Sequence, residues 1–555
     1  MKHIAILLLF ISLILPVRAQ SPTPLAWYSD KPQKHEVRAV WLTTIGGIDW
    51  PHTYNTYLQK EELRQTLDQL KAAGINTILL QTRVRATTIY PSALEPWDGC
   101  LSGIPGSAPG YDALRFCIDE CHRRGMELHA WVVTIPVGKW NALGCKQLRK
   151  RFPKLIKRIG DEGYMDPESA QTADYLANIC REITRTYDID GIHLDYIRYP
   201  ENWRIKVSRS QGRQHITRIV QSIHKAVKAE KPWVKLSCAP IGKHDDLLRY
   251  RSGGWNARST VCQDAQQWLK KGLMDMLFPM MYFRDNNFFP FAIDWQEHSY
   301  GRIVVPGLGI YFLDPSEGHW SLKDITRQLY VLRELGMGHC YFRSQFLTRN
   351  IQGLYDFCKK FDATPALIPP MSWTGVGAPT PPSSLKLSGT LLNWTGAEDR
   401  SDSPYLLYNI YASHHFPVDT QDPANLVCTR LMANELHVPA LPGLNYAVTA
   451  CNRYGMESKA AQLYRSFQTK ADDDFYVRTS DIQYSDGKTL YLPPKPVTLD
   501  ADYIIIETLI GQQVAFRNYR AAIDVSFLPN GIYALRSLGR KGRNHRIGYF
   551  SIYRR

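Results

Sequence analysis

The sequence predicts an α/β fold, a (β/α)8 TIM barrel, followed by two all-β sandwich domains. Three observations predict it. Over residues 35–362, apolar β-branched runs alternate with helical patterns, about eight strands in all. Residues 363–384 are crowded with Pro, Gly, Ser and Thr and read as a linker. Beyond them the helical period vanishes and short alternating strands separated by turn residues take over.

The elements follow in order. Residues 37–44 form the first strand. The helix at 61–73 carries Leu63, Leu67 and Leu70 on one face and stops at Gly74. A strand at 75–82, a helix at 111–124 ended by Gly125 and a strand at 127–134 come next. Helices at 172–186, 216–229 and 262–271 lead to strands at 191–196, 234–239 and 274–282. A strand at 303–310, a helix at 322–335 and a strand at 338–342 complete the set. Repeated strand–helix units imply a parallel sheet, and eight of them a closed barrel. An open doubly wound sheet is disfavoured because no Gly-rich nucleotide turn follows the first strand. Strands at 385–394, 405–412, 435–438 and 446–452 make the first sandwich, over 385–470. Those at 502–507, 523–527, 531–535 and 546–552 make the second, over 475–555, after a short polar stretch near 470–474.

Lys2 and His3, the apolar run 4–17 and Val17-Arg18-Ala19 form a secretory signal peptide over residues 1–19. The apolar run is short for the roughly 20 residues of a membrane span, and no later segment reads as transmembrane. The expected location is the periplasm, the cell surface or the medium. The net charge of +15 suits an anionic envelope polymer, or serves solubility alone. Export and the lack of any nucleic-acid motif exclude nucleic acid as a partner. Eleven cysteines cannot all pair internally, and none show zinc-site spacing. Cys428 and Cys451 could pair in the second domain. No metal or cofactor is called for.

Barrel active sites lie at the C-terminal ends of the strands. In the stretch Asp190 to Pro200, alternation sends His193 and Asp195 inward and Ile192 and Leu194 toward the helices. An inward carboxylate must be paired, hydrogen-bonded or functional. Asp195 is the first catalytic candidate; a structural ion pair with Arg198 or Arg83 is the alternative. Glycoside hydrolysis commonly needs two carboxyls. Candidates for the second are Asp285, beyond the sixth strand, and Asp49, beyond the first. Glu201 also follows the fourth strand, and Asp166 reads as part of a helix N-cap. Gln81, Arg83 and Tyr90 around the second strand end, His129 and Trp131 on the third, and Tyr282 on the sixth suit a sugar cleft. His193 and Arg198 join them as candidate substrate contacts.

The ordered set Val40-Trp41-Leu42-Thr43-Thr44, Asp49-Trp50-Pro51, Gln81-Thr82-Arg83, Tyr90-Pro91-Ser92, Pro96-Trp97, Pro109-Gly110-Tyr111-Asp112, the run from His122 to Trp131 and the run from Asp190 to Pro200 resembles the glycosyl-hydrolase-like 10 family of bacterial envelope proteins. The likeness continues through Ala239-Pro240, Pro279 to Tyr282 and Gly307 to Tyr311, and spans about 35–361. It implies a TIM barrel that hydrolyses O-glycosyl bonds, with peptidoglycan glycan strands as first-choice substrate, and puts Asp195 on the family's acidic position. Many members carry a second Asp next to it; here that residue is Tyr196. Trp394, Tyr408, Tyr411 and the run from Leu441 to Ala450 resemble a fibronectin type III domain. Leu509 to Val514 and Leu528 to Leu535 resemble a type IX secretion sorting domain, which implies contact with an envelope or secretion machinery. The rival readings are a non-catalytic glycan-binding barrel and a structural envelope protein.

Overall fold

The computed structural model describes residues 31–250, 253–438, 443–463, 484–485, 487–492, 503–509, 512–520, 522–538 and 544–552. The expected signal peptide and the expected boundary near 470–474 lie outside them. Eight parallel strands build the first domain: β1 (Arg38–Leu42), β2 (Thr77–Arg83), β3 (Glu127–Val133), β4 (Gly191–Asp195), β5 (Lys235–Cys238), β6 (Met276–Leu277), β7 (Ile303–Val304, continued by Gly307–Leu308) and β8 (His339–Tyr341). Pro306 has no N–H to give a ladder, so β7 is broken there. Its first segment pairs with β6 and its second with β8. Since β8 also pairs with β1, the barrel closes. The helices α1 (Thr56–Ala72), α2 (Ala113–Arg123), α3 (Ala170–Thr186), α4 (Arg209–Glu230), α5 (Ala265–Lys270), α6 (Phe289–Glu297), α7 (Leu322–Glu334) and α8 (Leu354–Phe361) follow the strands in turn.

Strand alternation sorts the side chains into two cores. Val40, Leu42, Ile78, Leu80, Ile192 and Leu194 face the helices, while Ala39, Trp41, Leu79, Trp131, Phe278, Val305 and Cys340 fill the barrel. Helix starts are set by their caps. Asp112 accepts the Arg115 N–H at α2, and Ser208 forms a capping box with Gln211 at α4. After β3 the chain makes an excursion over the C-terminal end of the barrel. It consists of an antiparallel sheet of Pro136–Lys139, Glu162–Met165 and Ile156–Ile159, with the helix Leu143–Arg151 inserted.

The Pro-rich stretch does not act as a free spacer. Residues 363–377 run across the N-terminal end of the barrel. Leu367 exchanges backbone hydrogen bonds with Lys34 and Glu36, and Arg38 Nη1 donates to the Thr364 carbonyl at 2.7 Å. Ile368 joins the barrel core, and the Trp373 indole donates to Asp275 at 3.1 Å. Prolines forbid helix and ladder, but they do not forbid an extended strap held by apolar side chains set between them.

The second domain packs a three-stranded sheet, Ser383–Ser388, Leu391–Thr395 and Glu435–His437, against a four-stranded one. The latter has the order Leu426–Leu431, Leu407–Ser413, Asn445–Cys451, Ala461–Leu463. Trp394, Tyr408, Ile410, Tyr446 and Val448 lie in its core. The third domain is again two antiparallel sheets around Leu490, Ile504, Ile506, Val525, Leu535 and Phe550. All eleven cysteines are free, Cys428 and Cys451 included.

The second domain docks on the barrel's N-terminal end through buried charge. Arg430 reaches Glu127 at 2.9 Å and Asp190 at 2.6 Å, and Arg453 reaches Asp188 at 2.5 Å and Asp190 at 3.2 Å. Burial alone would raise the Glu127 pKa, but Lys235 and Arg430 outweigh it and bring the carboxyl down to about 2 from its ordinary 4.5. A depressed acid stabilises the fold above its unfolded pKa, and that contribution is lost as pH falls through the folded value. The melting temperature of the full chain is therefore expected to drop between about pH 4.5 and pH 2, read by calorimetry. A flat profile over that window would contradict the assignment.

Candidate active site

The barrel mouth is built around the end of β4. Asp195 is 7% exposed, whereas His193, two residues earlier on the same inner face, is wholly buried. Asp195 Oδ1 accepts the Tyr196 N–H at 2.7 Å and Oδ2 accepts the Trp131 indole N–H at 3.2 Å. Tyr196 has φ of 53°, a left-handed conformation costly for a bulky residue, and it ends the strand directly after the acid. Burial raises the Asp195 pKa despite Arg198, the Tyr196 N–H and the Trp131 indole, all of which favour the anion. A carboxyl that holds its proton near its ordinary range or above can act as a general acid.

His193 supports this layer. Its Nε2 accepts the Trp41 indole N–H at 3.1 Å, so Nδ1 carries the proton toward Ser237 Oγ at 3.0 Å. Burial first, and then His129, push its pKa well down, which keeps the imidazole neutral. His193 thus has both ring nitrogens engaged beneath Asp195. His129 lies deeper, its Nε2 3.1 Å from Glu127.

On the loop after β4, Arg198 stacks over the Tyr196 ring at 4.2 Å and pairs with Glu201 at 2.6 Å. Its Nη1 stands 3.9 Å from Asp195 Oδ1. Arg198 Nε and Nη1 are buried without a hydrogen-bond partner in the protein, and so is the Tyr282 hydroxyl. Burial, with Cys340 and Asp195 nearby, pushes the Tyr282 phenol well up, so it stays a donor. Unsatisfied buried polar groups call for a partner, and at the barrel mouth they stand beside a carboxyl. Tyr282→Phe removes no protein hydrogen bond. It is expected to leave the melting temperature within about 1 °C while lowering kcat/KM about 10-fold, the scale of one hydrogen bond of ~1.4 kcal/mol. Unchanged kinetics would show that the hydroxyl has no ligand contact.

The expected site residues separate into two groups. Asp195, Trp131, Arg198 and Tyr282 converge at the mouth. Asp285 is at the rim, its side chain 65% exposed and 3.4 Å from Arg327. The remaining ones are committed elsewhere. Asp49 is buried between Arg343 at 2.6 Å and the Thr43 N–H at 2.9 Å, clamping the β1 and β8 loops together. Gln81 Oε1 accepts the N–H groups of Thr44 and Ile45. Arg83 is wholly buried, paired with Glu95 at 2.6 Å and donating to the Val133 and Thr134 carbonyls. Tyr90 faces the helix layer, where its hydroxyl donates to Glu182 and its ring meets Tyr187. These residues have the inward or strand-end placement the pattern indicates, but partners distant in sequence consume their polar groups.

Of the three carboxyls the sequence offers as a second acid, Glu201, its side chain 44% exposed, shares Arg198 with Asp195 and so lies closer to it in the network than Asp49 or Asp285 does. One feature of the mouth went unrecognised in the sequence. On the β6–β8 side an aromatic wall runs from Tyr282 through Tyr311 and Phe312 to Trp320, with ring centroids 5.7, 4.1 and 4.7 Å apart. Phe342 packs against Tyr282 at 5.3 Å. The Gly307-to-Tyr311 motif at a strand end was the available signal. A cavity of about 600 Å³ lies at the opposite end, between Lys71, Arg124, Cys428, Leu509 and Phe527. It holds none of the Asp195 cluster, so size alone does not locate the chemistry.

The chain is 26% identical over 484 residues to glycosyl hydrolase YngK of Bacillus subtilis, covering 77% of this chain and 92% of that one. It is 27% identical over 311 residues to glycosyl hydrolase DigH of Escherichia coli, covering 49% of this chain and 70% of that one. Among solved structures, α-L-fucosidase isoenzyme 2 from Paenibacillus thiaminolyticus aligns at a TM-score of 0.42 and 14% identity, over 59% of this chain and 50% of that one. The profile named glycosyl hydrolase-like 10 matches residues 36–211 and 205–311, which carry β1 to β7 and the Asp195 cluster. The barrel of this chain therefore belongs to the glycosyl hydrolase-like 10 family and has a glycoside hydrolase-type function.

Proposed function

We propose that the protein is an exported enzyme that hydrolyses O-glycosyl bonds of peptidoglycan glycan strands, with Asp195 as the proton donor. The observation that carries the chemistry is the buried Asp195 carboxyl, its pKa raised, beside unpaired donors of Arg198 and Tyr282. In the reaction Asp195 gives its proton to the leaving glycosidic oxygen. An ionised second carboxylate must then activate water or attack the anomeric carbon. Glu201, linked to Asp195 through Arg198, is assigned that part in preference to Asp285 and Asp49. Export rests on the apolar run 4–17, and the envelope substrate on the family resemblance and the charge of +15. The three-plus-four strand order of the second domain fits a fibronectin type III-like module. The third domain is assigned to surface sorting on its sequence resemblance.

A non-catalytic glycan binder is the second reading, favoured by Tyr196 standing where many relatives have an acid. Digestion of purified glycan strands, with and without stem peptides, separates the two. New reducing ends that accumulate with time are the expected result. Binding without any bond cleavage on either strand type would make the barrel a binder, and cleavage of neutral polysaccharides alone would replace the substrate.

A further inference from the structure

We infer that the excursion after β3 is a docking wall for a carboxylate-bearing polysaccharide, flanking the mouth opposite the aromatic wall. From Lys139 to Arg158 the chain carries eight Lys or Arg residues and no Asp or Glu. Seven of them, all but Arg149, are exposed. Arg149 and Arg158 lie 3.9 and 5.4 Å from the Trp140 ring centre, and among the others Lys157 has a carboxylate, Asp166, at 3.4 Å. The neighbouring loop after β4 adds exposed Arg204 and Lys206, and the first residue of α4 adds Arg209. The loop touches the excursion through Asn202 and the Tyr164 hydroxyl. A basic strip of this kind is ordinarily spread among acids, because like charges repel.

Position selects the partner. In an eight-stranded barrel β3 and β4 stand across from β7 and β8. The basic wall and the Tyr311–Phe312–Trp320 wall therefore border one mouth from opposite sides, with Asp195 between them. Stacking platforms bind sugar faces, and ammonium and guanidinium groups bind carboxylates. One extended polymer that offers both can lie across the mouth, which a lipid surface or a duplex cannot. This inference rests on the hydrolase reading for its location, but its test does not.

Binding is measured by titration with polygalacturonate and with its methyl ester, at about 50 and 500 mM NaCl, for the full chain and for Lys146→Gln/Lys150→Gln/Lys154→Gln. Exposed charges are screened beyond ~4 Å at the higher salt. The expected result is at least about 10-fold weaker binding for the triple Gln variant, for the ester and at high salt. The corresponding triple Arg variant should keep wild-type affinity, which separates charge from misfolding. Equal affinity of wild type and the Gln variant, or of polymer and ester, overturns the wall. So does charge-dependent binding to phosphatidylglycerol vesicles or duplex DNA that exceeds binding to polygalacturonate. Charge-dependent polysaccharide binding with no cleavage of any glycan leaves the wall standing and removes the hydrolase; glycan cleavage with unaltered binding of the Gln variant does the reverse.

Discussion

Asp195→Asn is expected to lower turnover by at least ~10²-fold, the scale of losing a general acid or nucleophile, while the fold stays intact. Asn keeps the shape and the acceptor oxygen that meets the Tyr196 N–H or the Trp131 indole. It also removes the need to bury a carboxylate, so the melting temperature should be unchanged or slightly higher. What it cannot do is deliver a proton. Because burial holds the Asp195 pKa above its ordinary value, the wild-type rate should fall as pH rises through that raised value. The variant's residual rate should lack this limb. Reducing-end release across pH 3–8 reads both features. Near-normal hydrolysis by a folded Asp195→Asn protein would remove Asp195 from the chemistry. Loss of activity together with loss of the melting transition would make it structural instead. Glu201→Gln distinguishes the partner: a second deep loss favours the Asp195–Glu201 pair, and a small one returns the role to Asp285.

The barrel was legible because its strands obey a period of two under a strong constraint. One face must fill the barrel and the other must meet helices, so Ile192 and Leu194 could be separated from His193 and Asp195 by parity alone. Parity does not say which inward polar group remains free. Arg83 is inward and Tyr90 lies beyond its strand end, yet Glu95, 12 residues from Arg83, and Glu182, 92 from Tyr90, take up their polar atoms. Such partners are chosen by tertiary packing, which no local pattern records. The aromatic wall escaped for the same reason. Tyr311, Phe312 and Trp320 come from a loop without periodicity, and only the fold brings them beside Tyr282. Proline content misled in the opposite direction: it reports the absence of an α-helix or a sheet strand over 363–377, not the absence of contacts.

Truncation tests that last point with a large effect. A chain ending at Asp362 looks complete by element count, since α8 has closed the last β/α unit. It is nevertheless expected to unfold at least about 10 °C below the full chain, or to be insoluble. Ending there removes Leu367, Ile368 and Met371, all buried, each worth roughly 1.5–3 kcal/mol on burial. It strips the Thr364 carbonyl from Arg38 and the Ala366 carbonyl from Asn76. It also removes Arg430 and Arg453 from Glu127 and Asp190. Domains are commonly stable by only ~5–15 kcal/mol in total, so these losses together are decisive. Chains ending at residues 377 and 463 divide the effect. The first restores the strap alone, the second the strap and the docked second domain. Arg430→Ala in the full chain isolates the buried charge. It leaves Glu127 and Asp190 short of a shared partner, a change that costs about 3–5 kcal/mol when one member of a buried pair is removed. The partners that remain, Lys235 on Glu127 and the His122 ring on Asp190, should hold the cost to the lower end. Stepwise recovery of the melting temperature from 362 to 377 to 463 is the expected order, by scanning calorimetry. A chain ending at 362 that melts with the full chain would mean that the strap and the second domain lie on the barrel without stabilising it.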